Sequence, residues 1–358
     1  MKKECSRCIN DTTVRRIKFN EKGICNFCLG YDEIQEKLND KKLLEKLFLD
    51  RINKVKGKYK YDAVVGFSGG KDSAYVLYQL IHKYKLKVKA FTLNNGFLTE
   101  EAINKIDEMV KELNVEHEYI ECPIDFLSDM YNYSMKKVFV PCIMCSYLGY
   151  SAMVNYASKE DAGMSIHGRS TPQMFRTYAN DFADTFKPYI EAGLKPIDEV
   201  NLKEMYESVL EKVGRLIDPK IQQTIEEVLL PDIKKNGYRE FVPYFLYHDY
   251  DEKEVVEFIE KHTGWFKEDK SKVNHFDCAI HHAAKYINQC IQKRPHCMPE
   301  ISVLIREGKI NKNTAKKMLQ SEVMEHSPDD EIKILCDFAK LNKSFHMGKV
   351  KLISKRWW

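Results

Sequence analysis

The hexapeptide Ser68-Gly69-Gly70-Lys71-Asp72-Ser73 limits what this chain can fold into more than any other stretch. It follows the apolar run Tyr61–Phe67, which reads as a buried strand, and it runs straight into Ala74–Lys83, which has the spacing of a helix. Successive glycines let backbone N–H groups converge on an anion, and the start of a helix adds its partial positive charge. Lys71 supplies a mobile cation, Ser68 and Ser73 offer hydroxyls to phosphate oxygens, and Asp72 can orient Mg²⁺. Neither the Walker A spacing nor G-x-G-x-x-G is present. The bland alternative, a Ser- and Gly-rich turn, does not account for the strand–loop–helix context.

The alternation continues downstream. Lys87–Leu93 reads as a strand, Glu100–Leu113 as a helix, His117–Glu121 as a strand, Cys145–Ser158 as a helix and Met164–Gly168 as a strand. This pattern predicts an α/β fold with a doubly wound parallel sheet. After residue 170 the strand signal fades and amphipathic helices dominate, including Leu202–Val213, Ile221–Leu229, Glu252–His262, Ala279–Gln292 and Thr314–Leu319. Four segments are therefore expected: a metal knuckle over 1–33, a charged helical linker over 34–59, the nucleotide domain over 60–200, and a mainly helical substrate or partner region over 201–358.

The knuckle rests on two CxxC pairs, Cys5/Cys8 and Cys25/Cys28, with 16 residues between Cys8 and Cys25. That is the spacing of a four-thiolate zinc site. Such a site is closed, so it predicts a structural Zn²⁺ and no chemistry at the metal. The 11 cysteines follow an N-terminus with no apolar leader, which points to a reducing cytoplasm and to metal or thiol chemistry. No apolar run is long enough to span a bilayer. A formal net charge of +4 is too slight to argue for nucleic acid.

The SGGKDS loop resembles that of the PP-loop (N-type) ATP pyrophosphatases. The resemblance implies an adenine nucleotide alpha hydrolase-like sheet that binds ATP with Mg²⁺. ATP is split between its α and β phosphates, an acceptor oxygen is adenylated, and a nucleophile displaces AMP. It also implies adenine near Thr92, Leu93 and Asn94, with Gly168 and Arg169 facing the phosphates and acceptor.

Two further resemblances compete over the nucleophile. The N-terminal cysteines with the following Tyr31-Asp32-Glu33, and the stretch Glu300–Ala315, look like N-acetyl sugar amidotransferases of surface-glycan biosynthesis, which take ammonia from a glutaminase partner. Pro141-Cys142-Ile-Met-Cys145 resembles instead the CxxC of tRNA thiolases, which with one distant cysteine holds a [4Fe-4S] cluster. Cys278, Cys290 and Cys297 are the candidates for a third ligand. Cys278 is favoured by its neighbours His275 and His281, at helical offsets of three. A reactive pair at Cys142 and Cys145, carrying a persulfide, is an alternative. Cys122, Cys290 and Cys336 read as small buried hydrophobes.

The sequence thus predicts an ATP-dependent sulfurtransferase with Lys71, Asp72, Cys142, Cys145 and Cys278 in catalytic roles. Ammonia-dependent amidotransfer is the alternative, and a non-catalytic nucleotide-binding protein the third. The expected partners are a small, sugar-like acceptor and a sulfur donor or a glutaminase. A homodimer is possible, and tRNA is disfavoured by the weak basic bias.

Overall fold

Four short apolar segments and one charged edge strand form one all-parallel sheet in the order β3-β2-β1-β4-β5, with the charged strand β3 at its edge. The strands are β1 Tyr61–Gly66, β2 Val88–Asn94, β3 Glu116–Glu121, β4 Ala162–His167 and β5 Glu240–Pro243. The computed structural model describes residues 2–176, 190–214, 219–264 and 277–342.

The central strand is enclosed on both faces. Ala63 and Val65 of β1 belong to the main core with Leu77, Leu80 and Ile106, while Val64 meets Phe91 and Tyr156 on the other side. Register aligns the carboxyl ends: Gly66 pairs with Phe91, Val65 with Ile166, and His167 with Pro243. The segments that follow β1, β2, β4 and β5 therefore emerge along one edge, where open α/β sheets bind ligands.

The expected α/β class holds, and several local expectations change. The linker is two helices, α1 Asn26–Asn39 and α2 Lys41–Val55. They are broken at Asp40, whose carboxylate accepts from the Leu43 N–H. Helix α1 begins inside the second CxxC pair, so Cys28 is helical. After the phosphate loop come α3 Lys71–Tyr78, α4 Glu100–Glu112, α5 Ile124–Lys137, α6 Cys142–Lys159 and α7 Thr171–Arg176. Helix α6 starts at Cys142, so the CxxC pair forms the first turn of a helix and not a loop before one. Strand β5 also stands against the expected loss of strands after residue 170, and the sheet draws it from beyond residue 200. It is only four residues long and leads straight into the apolar helix Tyr244–Tyr247, so no alternation marks it.

Among the described residues, no helix is long and apolar enough to cross a membrane.

Candidate functional site

The loop between β1 and α3 has the form its sequence demands. Gly69 takes φ +73°, and a Cβ there would stand 3.0 Å from Ile106 Cγ1 of α4. Ser73 Oγ donates to the Gly70 carbonyl at 3.0 Å, and the Ser68 N–H donates to Ser73 Oγ at 3.4 Å, which folds the loop over the start of α3. Gly168, after β4, is pressed against this turn: a Cβ would lie 2.9 Å from the Asp72 carbonyl oxygen. Arg169 packs its guanidinium 4.7 Å from the centre of the Tyr150 ring. Its N–H donates to Nδ1 of His167, which leaves Nε2 to carry the proton of the neutral ring. Burial, with Arg169 adding to it, pushes the His167 imidazole down to about 3.

Lys71 and Asp72 point away from empty solvent. Lys71 Nζ lies 3.3 Å from the Asp72 carboxylate and 3.6 Å from that of Glu252. Asp72 also accepts from the Tyr250 hydroxyl at 3.1 Å. Burial pushes the Asp72 carboxyl up, and Lys71 and Tyr250 pull it back toward ionisation. Neither Tyr250 nor Glu252 carries a local sequence signal, because both reach the loop from the segment after β5.

The turn after β2 organises a second group of residues. Thr92, Leu93 and Asn94 end the strand, and Asn94 Nδ2 donates to Glu121 of β3 at 2.9 Å. Asn95 Nδ2 donates to Cys145 Sγ at 3.4 Å, and the Phe97 carbonyl accepts from the Ala279 N–H at 2.8 Å. The same turn therefore gathers α6 and the segment bearing Cys278. The buried Tyr131 hydroxyl donates to the Asn95 carbonyl at 3.0 Å and lies beside Cys145. Cys278 and Cys142 are near enough to act on it too, and together with burial the three thiols push the phenol well above its ordinary range. Burial pushes the Cys278 thiol up to about 12, with Cys145 and Cys142 contributing.

Cys278 lies in the neighbourhood of Cys142 and Cys145. The helix there begins at His281, so Cys278 precedes it and the shared helical face with His281 does not form. His275 lies outside the described residues. Cys122 and Cys336 are buried as expected, whereas Cys290 is only half-buried.

The third feature is the N-terminal cysteine group. Cys5, Cys8, Cys25 and Cys28 are fully buried, and their sulfurs all lie within 4.8 Å of one another. The Cys5–Cys28 and Cys8–Cys25 separations are 4.0 and 3.8 Å. A tetrahedron of ~2.3 Å Zn–S bonds has sulfurs about 3.8 Å apart, so the four fit one ion. Among the described residues, no other three or more His, Cys, Asp or Glu ligand atoms lie within 4.8 Å of one another.

Residues 62–143 match the family model of the queuosine biosynthesis protein QueC. The chain carries a QueC-like PP-loop domain. The match spans β1 to the start of α6, and thus includes the phosphate loop, the turn after β2 and Cys142. The chain is also similar to two uncharacterized proteins of Methanocaldococcus jannaschii. One is 31% identical over 149 residues, covering 40% of this chain and 51% of the relative. The other is 32% identical over 147 residues, covering 38% and 55%. The chain spans about half the length of the curated relatives it matches.

Among solved structures, similarity extends to a U34-tRNA thiolase, NcsA, of Methanococcus maripaludis with its [4Fe-4S] cluster, at TM-score 0.36 and 15% identity over 91% of both chains. It extends also to the NH3-dependent NAD synthetase of Campylobacter jejuni, at TM-score 0.28 and 18% identity over 52% of this chain and 92% of that one. NMN synthetase of Francisella tularensis follows at TM-score 0.24 and 17% identity, over 70% and 95%. The parallel sheet and the loop after β1 give the matched residues a PP-loop fold.

Proposed function

We propose that this protein is an ATP-dependent sulfurtransferase. It adenylates an acceptor oxygen, releases pyrophosphate, and replaces that oxygen with sulfur. The observation that carries the reading is the gathering of Cys142, Cys145 and Cys278 around Tyr131, at the turn that ends β2.

The residues divide the work. The loop Ser68–Ser73 and the start of α3 take the pyrophosphate end of ATP, where Lys71 offsets the charge that develops as the bond between the α and β phosphorus atoms breaks. Asp72 holds Mg²⁺ against the same oxygens. Thr92, Leu93 and Asn94 flank adenine, and Gly168 keeps β4 close enough for Arg169 to face the acceptor. The acceptor oxygen attacks the α phosphorus and becomes AMP-linked. A sulfide-class donor then attacks the activated carbon: a C–S bond forms, the C–O bond breaks, and AMP leaves with the oxygen.

Three soft thiolates suit iron and sulfide better than a hard cation, and they are spaced more widely than the four that fit one ion. Cys142, Cys145 and Cys278 would hold such a cluster, which would supply a place for the sulfide to be transferred. Asn95 donates to Cys145, and Tyr131 fixes the Asn95 backbone, so this chain orients its own ligands. Cys5, Cys8, Cys25 and Cys28 hold Zn²⁺ in a structural role.

Anaerobic protein should be brown and contain about four irons per chain. Cys142→Ser, Cys145→Ser or Cys278→Ser should bleach it, while Cys290→Ser and Cys297→Ser should not. ATP should yield AMP and pyrophosphate, and Lys71→Ala or Asp72→Ala should abolish this with the fold intact. ADP and phosphate as products would overturn the ATP pyrophosphatase assignment. A colourless protein that consumes ATP with ammonia and an N-acetyl sugar would establish amidotransfer in place of sulfur transfer.

A further inference from the structure

The four-thiolate knuckle does not hang free at one end of the molecule. Arg306, 5% exposed, reaches it from the helix Met298–Arg306. Its Nε donates to Cys28 Sγ at 3.4 Å, and one terminal nitrogen lies 3.9 Å from Cys8 Sγ. Four thiolates around one divalent ion retain a double negative charge, so a buried guanidinium on their sulfurs is the counter-charge that enclosure requires. The position of the helix end carrying Arg306 is thereby tied to the loaded knuckle.

That helix end continues into the phosphate site. Three residues on, Lys309 is fixed between the Glu307 carboxylate at 3.0 Å and the Tyr250 carbonyl at 2.7 Å. The Tyr250 ring packs edge-on against Phe245 with centroids 4.9 Å apart, and its hydroxyl donates to Asp72 at 3.1 Å. The series runs from the buried Arg306 through Lys309 and Tyr250 to Asp72.

We propose that Tyr250 and Lys309 are positioning residues that connect the N-terminal metal knuckle to Asp72, so that loading the knuckle sets the affinity of the phosphate site for its divalent cation. This rests on the reading of Asp72 as the Mg²⁺-holding residue of an ATP site. The knuckle takes no part in the chemistry; it fixes Arg306, which fixes the segment that holds the Tyr250 hydroxyl on the carboxylate.

The test measures binding of Mn²⁺ with ATP to the full chain by electron paramagnetic resonance, beside zinc content and the Mg²⁺ dependence of pyrophosphate release. Tyr250→Phe removes one hydroxyl and keeps the ring, and Lys309→Met keeps the chain length and loses the clamp. Both variants should retain their zinc and bind Mn²⁺ about 10-fold more weakly, the effect expected when a ligating carboxylate loses an outer hydrogen bond. The Mg²⁺ requirement should rise by a similar factor, while the rate at saturating Mg²⁺ changes little. Stripping zinc should weaken Mn²⁺ binding in the wild type and add little in Tyr250→Phe, because both act on one contact. Unchanged Mn²⁺ affinity in both variants overturns the connection, even if stripping zinc unfolds the knuckle. Absence of any Mn²⁺–ATP binding by the zinc-loaded wild type overturns the ATP reading itself, and this proposal with it.

Discussion

Asn95 and Cys145 are joined by a hydrogen bond from Nδ2 to Sγ at 3.4 Å, which links the turn after β2 to the first turn of α6. The amide does this while its Oδ1 accepts from the Phe97 N–H at 2.9 Å. Asn95→Asp keeps that second bond and replaces the donor with a negative charge beside the sulfur. We expect iron retention to fall by about 10-fold in affinity, and alkylation of Cys145 in iron-free protein to slow as its thiolate is disfavoured. Iron content after gel filtration and the rate of iodoacetamide labelling check both. Unaltered values would remove Asn95 from the site.

Gly168 has no room for a methyl group. Alanine there would put Cβ 2.9 Å from the Asp72 carbonyl oxygen and 3.1 Å from its carbon, so the backbone of β4 or of the phosphate loop must shift. We expect Gly168→Ala to cost about 1–3 kcal/mol of stability as overpacking does, with a clear loss of ATP affinity. Gly149→Ala, in α6, meets nothing within 4 Å and should be neutral or stabilising by up to ~1 kcal/mol. Urea titration with ATP binding by calorimetry separates the two. Equal behaviour of the two variants would contradict the close approach.

The cores on either side of the knuckle share residues from both ends of the chain, since Ile9 and Val14 pack with Met298 and Ile301. Ser302 Oγ donates to Asn10 at 2.9 Å in the same contact. Loss of metal through Cys25→Ser should therefore loosen the helix Met298–Arg306 as well as the first turns of the chain, because metal binding and folding are coupled at such sites. Limited proteolysis with mass spectrometry should find new cuts in both regions. Cuts confined to the N-terminal residues would show that the two are held independently.

Two buried imidazoles give stability a pH dependence of definite sign. Burial pushes His248 down to about 4 and His167 down to about 3, from an ordinary value of 6.5. The unfolded chain thus binds protons that the native protein refuses. Their contribution is complete above about pH 6.5 and is lost as pH falls toward 4 and then 3. The partners of His248 are explicit: Nδ1 is 2.9 Å from the Tyr244 carbonyl, which pulls part of the way back against burial, and Nε2 is 2.7 Å from the Tyr84 hydroxyl. A neutral ring donates to the carbonyl and accepts from the phenol; a charged ring loses the second bond. Unfolding free energy should drop by on the order of 3 kcal/mol for this group between pH 6.5 and 4, and His248→Gln should flatten that part of the curve. A profile that is level over this range would be the contrary result.

Much of the architecture was legible because its signals are local. A strand of Tyr61–Gly66 followed by two glycines and a lysine needs only neighbours in sequence to state its conformation. The four N-terminal cysteines announce themselves by spacing. Cys278 was legible as a residue type and not as a placement, since its approach to Cys145 depends on the Phe97–Ala279 backbone bond and not on helix periodicity. Helix α5 escaped notice because Ile124–Lys137 mixes Ser, Asp and Asn with its buried Leu127, Met130 and Tyr131. Tyr250 carried no signal, and Arg306 and Lys309 were legible as part of the stretch Glu300–Ala315 but not as contacts. Each makes its contact from the chain beyond β5 across a long separation in sequence.

Cys28 and Arg306 stand 278 positions apart in the chain. The ribosome therefore delivers the knuckle long before it delivers the guanidinium that covers it. At roughly 5–20 residues per second the interval is about 15–55 s. Throughout that time the thiolates are made but unshielded, open to metal delivery and equally to oxidants. The helix Met298–Arg306 then closes over them, so thiolates made early are sealed only after most of the fold has followed.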